Sequence, residues 1–396
     1  MKPIQVVRDV KLFDQLRISR YQKAPELGPS ILFFSGGSAL RQMSRLLKSY
    51  THNSIHLVTP FDSGGSSAKL RRAFRMPAIG DLRSRLISLA DESVTGNPEV
   101  YRLFTYRFSN TESDQELAHR LTELVRGKDP MIREVPNPMR QLIRTQLGFF
   151  LEAKPADFEL QGASVGNLIL TGGYLNNHKH LDPIIFLFSK LVGVLGTVRA
   201  VVSDDLHLAA ELEDGCVILG QHRLTGKEVA PLHSPIKRLF LVDNIEHGTP
   251  VRSNLRKKNR KLIKQAELIC YPPGSFYSSL IAHFLPTGVG AAVAANRSPK
   301  VYIPNLGVDP EQIGMTMDQA ILSLLEHLRA DVGGNCPSRR LLNFVMLDSR
   351  RDNYSSLPSP SLMKKLRVRV IDTELVGSSA SLYDPKLLTS ALLSLC

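Results

Sequence analysis

At 396 residues with 43% hydrophobic content, the chain can bury one large core or two moderate ones and needs no covalent staples. Its 50 Lys and Arg against 37 Asp and Glu give a formal charge of +13, which favours anionic partners; the four scattered cysteines indicate neither a zinc site nor a disulfide framework. No apolar run reaches the length of a membrane span and Met1 to Arg20 lacks a signal-peptide core, so a soluble cytoplasmic protein with reduced thiols is expected.

Residues 1–30 read as an N-terminal extension closed by Pro25 and Gly28-Pro29. The apolar run Ile31-Leu32-Phe33-Phe34 then enters Ser35-Gly36-Gly37-Ser38, and Arg41 to Tyr50 spaces Met43, Leu46 and Leu47 as one helical face. Strand, glycine turn, helix places backbone N–H groups and a positive helix end beyond a strand's carboxyl edge, where a phosphate can bind. Gly36 and Gly37 supply close approach and Ser38 a hydroxyl. A second unit repeats the pattern. Strand Ile55 to Thr59 ends in Asp62-Ser63-Gly64-Gly65-Ser66-Ser67, followed by a basic helix from Ala68 to Arg75. A third turn, Met76 to Asp81, leads into Leu82 to Ala90 with Asp81 as N-cap.

Residues 97–160 read as a helical insertion, with Ser113 capping a segment to Arg126 and a further helix after Pro138. Gly162-Ala163-Ser164-Val165-Gly166-Asn167 then opens another apolar helix and is a second candidate anion cradle. Strand Thr197 to Val202 ends in Ser203-Asp204-Asp205, and a hairpin runs from Leu206 to Gln221 around Asp214-Gly215. Strand Ile236 to Val242, a basic helix from Arg252 to Lys264, strand Leu268 to Tyr271 and a helix from Ser278 to Phe284 come next. Strands at Val301, Leu342 and Val368 then alternate with helices Met317 to Ala330 and Pro385 to Leu395. His178-Lys179-His180 has no third ligand nearby and reads as loop. The whole is an α/β pattern: a Rossmann-like, mostly parallel sheet with helices on both faces, a helical insertion and an added β-hairpin.

Taken in order, Gly36 to Leu40, Asp62 to Ser67 with Leu70-Arg71, Gly80-Asp81-Leu82-Arg83, Gly162 to Leu170, Ser203-Asp204-Asp205 and Pro273 to Tyr277 resemble the CofD-like family. That family contains 2-phospho-L-lactate transferase and the YvcK gluconeogenesis-factor branch. The resemblance implies one nucleotide-binding α/β domain over 31–396 and two functional readings. The first is a Mg2+-dependent transferase that moves a phosphoryl-linked group of the 2-phospholactyl type from a nucleoside-diphosphate conjugate to an acceptor hydroxyl. The second is a non-catalytic nucleotide or nucleotide-sugar sensor of carbon or cell-wall metabolism. This chain departs from the relatives at Ser63, where the YvcK branch carries a second aspartate, and at Ala163, where it carries histidine.

On that resemblance Asp62, Asp204 and Asp205 are the candidate catalytic carboxylates, with Asp62 and Asp204 the metal ligands. Equally, Asp62 caps a helix and the pair stabilises a turn. Gly36, Gly37, Ser38, Gly64, Gly65, Ser66, Ser67, Gly162, Ser164 and Asn167 are the phosphate or nucleotide contacts, with Arg71 and Arg83 early in helices where each could reach an anion. Arg72, Arg75 and Arg85 read as solvated face. Pro273, Gly274, Ser275 and Tyr277 are assigned to the base or ribose end, against the alternative of a tight turn with a core tyrosine. The seven basic residues between Arg252 and Lys264 read as a solvated outer helix, so no nucleic-acid partner is expected, and a homodimer is expected by analogy only.

Overall fold

Runs of apolar residues too short for helices become strands when both of their faces are covered. β1 Ile31–Ser35, β2 Ile55–Val58 and β8 Leu268–Tyr271 are buried at every position. In this computed structural model, which describes residues 9–37, 39–93, 96–226, 229–350, 354–377 and 382–396, they form the centre of a seven-stranded sheet. The other members are β3 Thr197–Ala200, β9 Lys300–Tyr302, β10 Phe344–Leu347 and β11 Arg369–Asp372. The order is β11-β10-β9-β8-β1-β2-β3 and every pair is parallel. From β1 the chain builds outward through β2 to β3, then returns to β8 on the other side of β1 and builds the opposite way. The reversal leaves a crevice between the carboxyl ends of β1 and β8, where ligands bind in open α/β sheets.

Alternation along β1 sorts the two faces. Ile31 and Phe33 pack with α2 (Arg41–Leu47) and α16 (Pro385–Ser394), and α1 (Gln15–Lys23) adds Ile18 to that layer. Arg17 Nη1 fastens α1 by donating to the carbonyls of Ser394 and Cys396, so residues 9–30 are part of the packed fold. Leu32 and Phe34 face a core shared with a second, antiparallel sheet. That sheet has the order β5-β4-β6-β7, from β4 His207–Leu212, β5 Val217–Leu219, β6 Ile236–Val242 and β7 Pro250–Val251. α11 (Gln221–Leu224), α12 (Lys257–Gln265), α13 (Val289–Ala295), α14 (Met317–Arg329) and α15 (Pro360–Leu366) complete this side.

A third apolar cluster fills the helical region, as the sequence spacing predicts. It packs α3 (Gly65–Phe74), α4 (Gly80–Ser88), α5 (Pro98–Thr105), α6 (Asp114–Arg126), α7 (Pro130–Glu134) and α8 (Met139–Ala153) against α9 (Val165–Asn176) and α10 (Leu181–Leu191). Ser113 and Glu116 make the reciprocal capping box expected at the start of α6.

Two expected helices differ. The basic helix starts at Lys257 instead of Arg252, because β7 and Ser253, which donates to Asp204, occupy the preceding residues. After β8 there is no α-helix at Ser278 to Phe284 but a π-helical turn over Phe276–Leu280 followed by a 3-10 turn over Ile281–Phe284. Buried carboxylates cap its first amides, as described below.

Candidate functional site

Three of the sequence's turns meet at the first turn of α4. Asp81 was expected to cap this helix, but the helix begins at Gly80, and Ile79 at the N-cap makes no side-chain bond. The Asp81 carboxylate is drawn elsewhere: its Oδ2 accepts from the Gly37 amide at 3.1 Å. One helical turn later, Arg85 Nη2 donates to the Gly37 carbonyl at 3.3 Å and Nη1 to Ser44 Oγ at 2.6 Å. Gly37 sits at φ +54, a left-handed conformation that suits glycine, and α4 grips both of its main-chain groups. Gly36 lies against the segment after β8, where a Cβ would fall 2.8 Å from that of Ser279. Ser38 lies outside the described residues.

The second turn touches the same helix start. A Cβ on Gly80 would lie 2.9 Å from Ser67 Oγ and 3.8 Å from Asp62 Oδ2. So does the start of α9, because a Cβ on Gly166 would meet Arg83 Cδ at 2.9 Å and the Phe104 carbonyl at 2.5 Å. Gly37, Asp62, Ser67 and Gly166 thus converge on Gly80 to Arg85 although they are far apart in sequence.

Between α3 and α9 lies a cavity of about 230 Å³ lined by Gly65, Ser66, Lys69, Arg107, Ser164 and Asn167 among others. Asn167 Nδ2 reaches Ser66 Oγ at 3.5 Å. Asn167 Oδ1 and Ser164 Oγ are buried with no hydrogen-bond partner. Each such group costs roughly 1–3 kcal/mol unless something else satisfies it. Gly162, at φ +68, makes the approach to α9, and its carbonyl accepts from Arg107 Nη1. A second cavity of about 370 Å³ lies in the crevice between the ends of β1 and β8, lined by Leu40, Arg41, Pro273, Gly274, Asn305 and Tyr383 among others.

The charge around these cavities is unbalanced. Arg83 is half-buried, and among the described residues its Nε has no partner and its side chain makes one hydrogen bond, a long 3.5 Å contact from Nη1 to the Phe104 carbonyl. Burial, then Arg107 and Arg41, push its pKa down to about 10 against the opposing pull of Asp81. Arg85 was expected on a solvated face but is 3% exposed, because it reaches under the first turn to Gly37 and Ser44. Burial lowers it to about 10 as well. Arg72 and Arg75 are exposed as expected.

The remaining expected residues are placed differently. Arg71 is 5% exposed and bonded through both terminal nitrogens: Nη1 donates to the carbonyls of Phe61 and Asp62, and Nη2 to Asp205 Oδ1 at 2.8 Å and the Leu206 carbonyl at 2.7 Å. It rivets the end of β2 to the end of β3. Burial works against the charge on both members of the Arg71–Asp205 pair, lowering the arginine and raising the aspartate, but the bonded geometry keeps them an ion pair. Asp204 is exposed and accepts from Ser253 Oγ at 2.5 Å, so the two neighbouring aspartates turn apart. Asp62 Oδ1 accepts from the Gly64 amide at 3.1 Å, an Asx turn that shapes the Gly64-Gly65 loop. Among the described residues no group of three His, Cys, Asp or Glu side chains is arranged to hold a metal alone.

The stretch from Pro273 to Tyr277 serves itself. Asn305 Oδ1 accepts from the Gly274 amide at 2.6 Å, and Asp309 Oδ2 from that of Phe276 at 2.7 Å. Glu311 Oε2 accepts from the amides of Tyr277 and Ser278. Internal carboxylates hold the N–H groups that a ligand phosphate would use, and burial with the neighbouring Asp309 raises Glu311 to about 7. Tyr277 is 5% exposed, edge-on to Phe276 with its hydroxyl 3.5 Å from the Ile236 carbonyl. It points into the core, and only Pro273 and Gly274 of this stretch line the crevice. Arg41, Arg107, Asp81 and Arg85 were missed as site residues; the Asp81–Arg85 spacing of one helical turn after a glycine turn was the available signal.

Comparison with known proteins agrees with the fold. Residues 31–376 match the family described as 2-phospho-L-lactate transferase CofD. A relative from Nostoc sp. is 27% identical over 331 residues, covering 83% of this chain, which spans 57% of that relative's length. The gluconeogenesis factor of Bacillus subtilis is 28% identical over 301 residues, 76% of this chain and 75% of its own. A crystal structure of a UPF0052 family member from Bacillus halodurans superposes with a TM-score of 0.66 at 22% identity, covering 92% of this chain and 99% of that one. The matched span contains the turns that meet at α4, the crevice loops that follow β1 and β8, and both sheets, and the chain belongs to the CofD family.

Proposed function

We propose that the protein binds a nucleoside diphosphate or its conjugate, with the pyrophosphate lying where the three turns meet α4, and moves a phosphoryl-linked group of the 2-phospholactyl type to an acceptor hydroxyl. The observation that carries this reading is Arg83: a half-buried guanidinium without an anionic bond, facing Arg41 and Arg107, next to the unpartnered Ser164 Oγ and Asn167 Oδ1. A nucleotide there would satisfy all of them, its phosphate oxygens accepting from Arg83 and Ser164 Oγ and one of its O–H or N–H groups donating to Asn167 Oδ1. Transfer chemistry of this type asks a protein mainly for positioning and charge neutralisation, which such a cluster supplies.

Mg2+ would neutralise phosphate oxygens during the transfer. Asp62 fits the role of its ligand: Oδ2 faces Gly80 and Ser67 and has no partner among the described residues. One carboxylate plus phosphate oxygens and water is enough for magnesium. Asp204, bonded to Ser253, is the less well placed of the two expected ligands, and Asp205, held by Arg71, acts as a positioning residue. The nucleoside would occupy the crevice beside Pro273 and Gly274.

A second reading, a nucleotide-binding regulator without catalysis, draws support from Ser63. Its Oγ is bonded to His222 Nδ1 at 2.8 Å, so the strand end offers one free carboxylate instead of two. Isothermal titration of guanosine, uridine and adenosine diphosphates, with and without Mg2+, separates the readings. Under the transferase reading Mg2+ tightens binding, Asp62→Asn removes that gain, and Arg83→Ala weakens binding at least tenfold with or without metal. Metal-indifferent binding that Asp62→Asn leaves intact supports the regulator. Failure of all three nucleotides to bind overturns both.

A further inference from the structure

Consecutive residues at the end of β2 look in opposite directions. Asp62 faces the start of α4, while Ser63 faces a separate cavity of about 770 Å³ on the other side of α3, between that helix and the small antiparallel sheet. The two sides of α3 divide the same way: Ser66, Lys69 and Leu70 line the smaller cavity, and Ala68, Arg71, Arg72 and Arg75 line this one.

The cavity has a cationic rim and an imidazole floor. Arg72, Arg75 and Arg223 are exposed guanidiniums with no ion-pair or hydrogen-bond partner among the described residues. Of the carboxylates facing them, Asp205 is held by Arg71, and Asp243 accepts from the Thr249 amide and Asn244 Nδ2. Those neutral donors leave the charge of Asp243 in place, as Glu246 keeps its own, so three unpaired guanidiniums face two unpaired carboxylates among the described lining residues and positive charge is in excess. On the floor, His207 Nδ1 is buried without a partner. Burial, with Arg71 beside it, lowers His207 to about 3, so the ring is a neutral hydrogen-bonding group at any working pH. His222 is held by Ser63 through both its Nδ1 (2.8 Å) and its own amide (3.3 Å), which leaves Nε2 without a partner among the described residues. Arg71 Nε is likewise buried and unbonded.

We infer that this cavity is a second ligand site, for a phosphorylated, hydroxyl-bearing small molecule whose phosphate meets Arg72, Arg75 and Arg223 and whose hydroxyls meet His207 and His222. Guanidiniums favour phosphate oxygens through paired, charge-assisted bonds, while the neutral His207 ring both donates to and accepts from hydroxyls and His222 offers its Nε2. The volume falls within the range of small-molecule pockets. The site shares α3 with the nucleotide cleft but none of the residues assigned to anion binding there except Arg71, whose Nη1 and Nη2 are already bonded within the protein, so occupancy of one does not require the other.

Titration of the intact chain with glucose 6-phosphate, glycerol 3-phosphate, inorganic phosphate and glucose tests this. Saturable binding of a phosphorylated probe is expected, weaker binding of inorganic phosphate, and none of glucose. Arg72→Ala with Arg223→Ala should weaken the phosphorylated probe at least tenfold while leaving nucleoside diphosphate affinity unchanged. His207→Ala should weaken the sugar phosphate more than inorganic phosphate. The inference is overturned if neither phosphorylated probe binds, if binding survives the double arginine variant, or if the probe competes with guanosine diphosphate and is lost in Arg83→Ala. The last result locates the probe in the nucleotide cleft and leaves that reading standing; loss of nucleotide binding alone leaves this one standing.

Discussion

Two residues carry charge in places where the fold gives it little help, and each makes a prediction. Arg83 is desolvated among like charges, so in the ligand-free protein it opposes folding more than it assists it. Arg83→Met should therefore leave the ligand-free melting temperature unchanged or raised, while abolishing the stabilisation that a nucleoside diphosphate gives; differential scanning fluorimetry with and without ligand reads both. A drop of several degrees without ligand would mean that Arg83 is structural. Glu311 is the opposite kind of case. Its folded pKa of about 7 lies above that of an unfolded glutamate, so the stability it contributes is present at low pH and lost as pH rises through 7. The melting temperature should fall between pH 5 and pH 7.5, and Glu311→Gln should flatten that slope, since an amide still accepts from the amides of Tyr277 and Ser278 and donates to Ser278 Oγ.

Among the elements, α8 and α9 cross with their backbones nearly touching, because Gly172 brings no side chain between them. A Cβ there would lie 1.8 Å from the Gln146 carbonyl oxygen, a backbone atom that cannot swing away. Gly172→Ala should cost about 3 kcal/mol or more, measured by urea unfolding, while nucleotide affinity of the folded fraction stays within twofold. Such helix contacts are hard to foresee from sequence, and the same holds for parts of the site. The strands were legible because burial on both faces writes an uninterrupted apolar run, as in Ile31 to Phe34, and the turns after them because glycine and hydroxyl residues cluster there. What a turn's amides bond to was not legible. The partner of Gly37 lies 44 residues on, at Asp81, and that of Tyr277 lies 34 residues on, at Glu311. Local reading therefore made Asp81 a cap and Arg85 a surface residue, both of which the tertiary arrangement overrules, whereas the family resemblance made Tyr277 a ligand contact and the structure puts it in the core, the alternative the turn itself offered.

Over the whole molecule, the +13 charge has two separate sources of meaning. Part of it gathers around α4, where it faces cavities. Another part lies on α12, whose Lys257, Lys258, Lys261 and Lys264 are exposed, while buried Asn259 bolts the helix to β3 by donating to the carbonyls of Ala200 and Val201. Reversing those four lysines to glutamate should leave nucleotide affinity within twofold and the fold intact; a large loss in titration would place the ligand on the wrong face of the sheet. The grip of Asp81 on Gly37 bears on how the molecule responds as a unit. A resident carboxylate already occupies the amide that an incoming phosphate would seek, and two negative groups do not share one N–H. On the proposed nucleotide-binding reading, a phosphate would have to displace Asp81 from that amide, and the same helix ties Asp81 through Arg85 to the Gly37 carbonyl and to Ser44 on α2. The amide's resident acceptor is thus joined to a layer away from the rim.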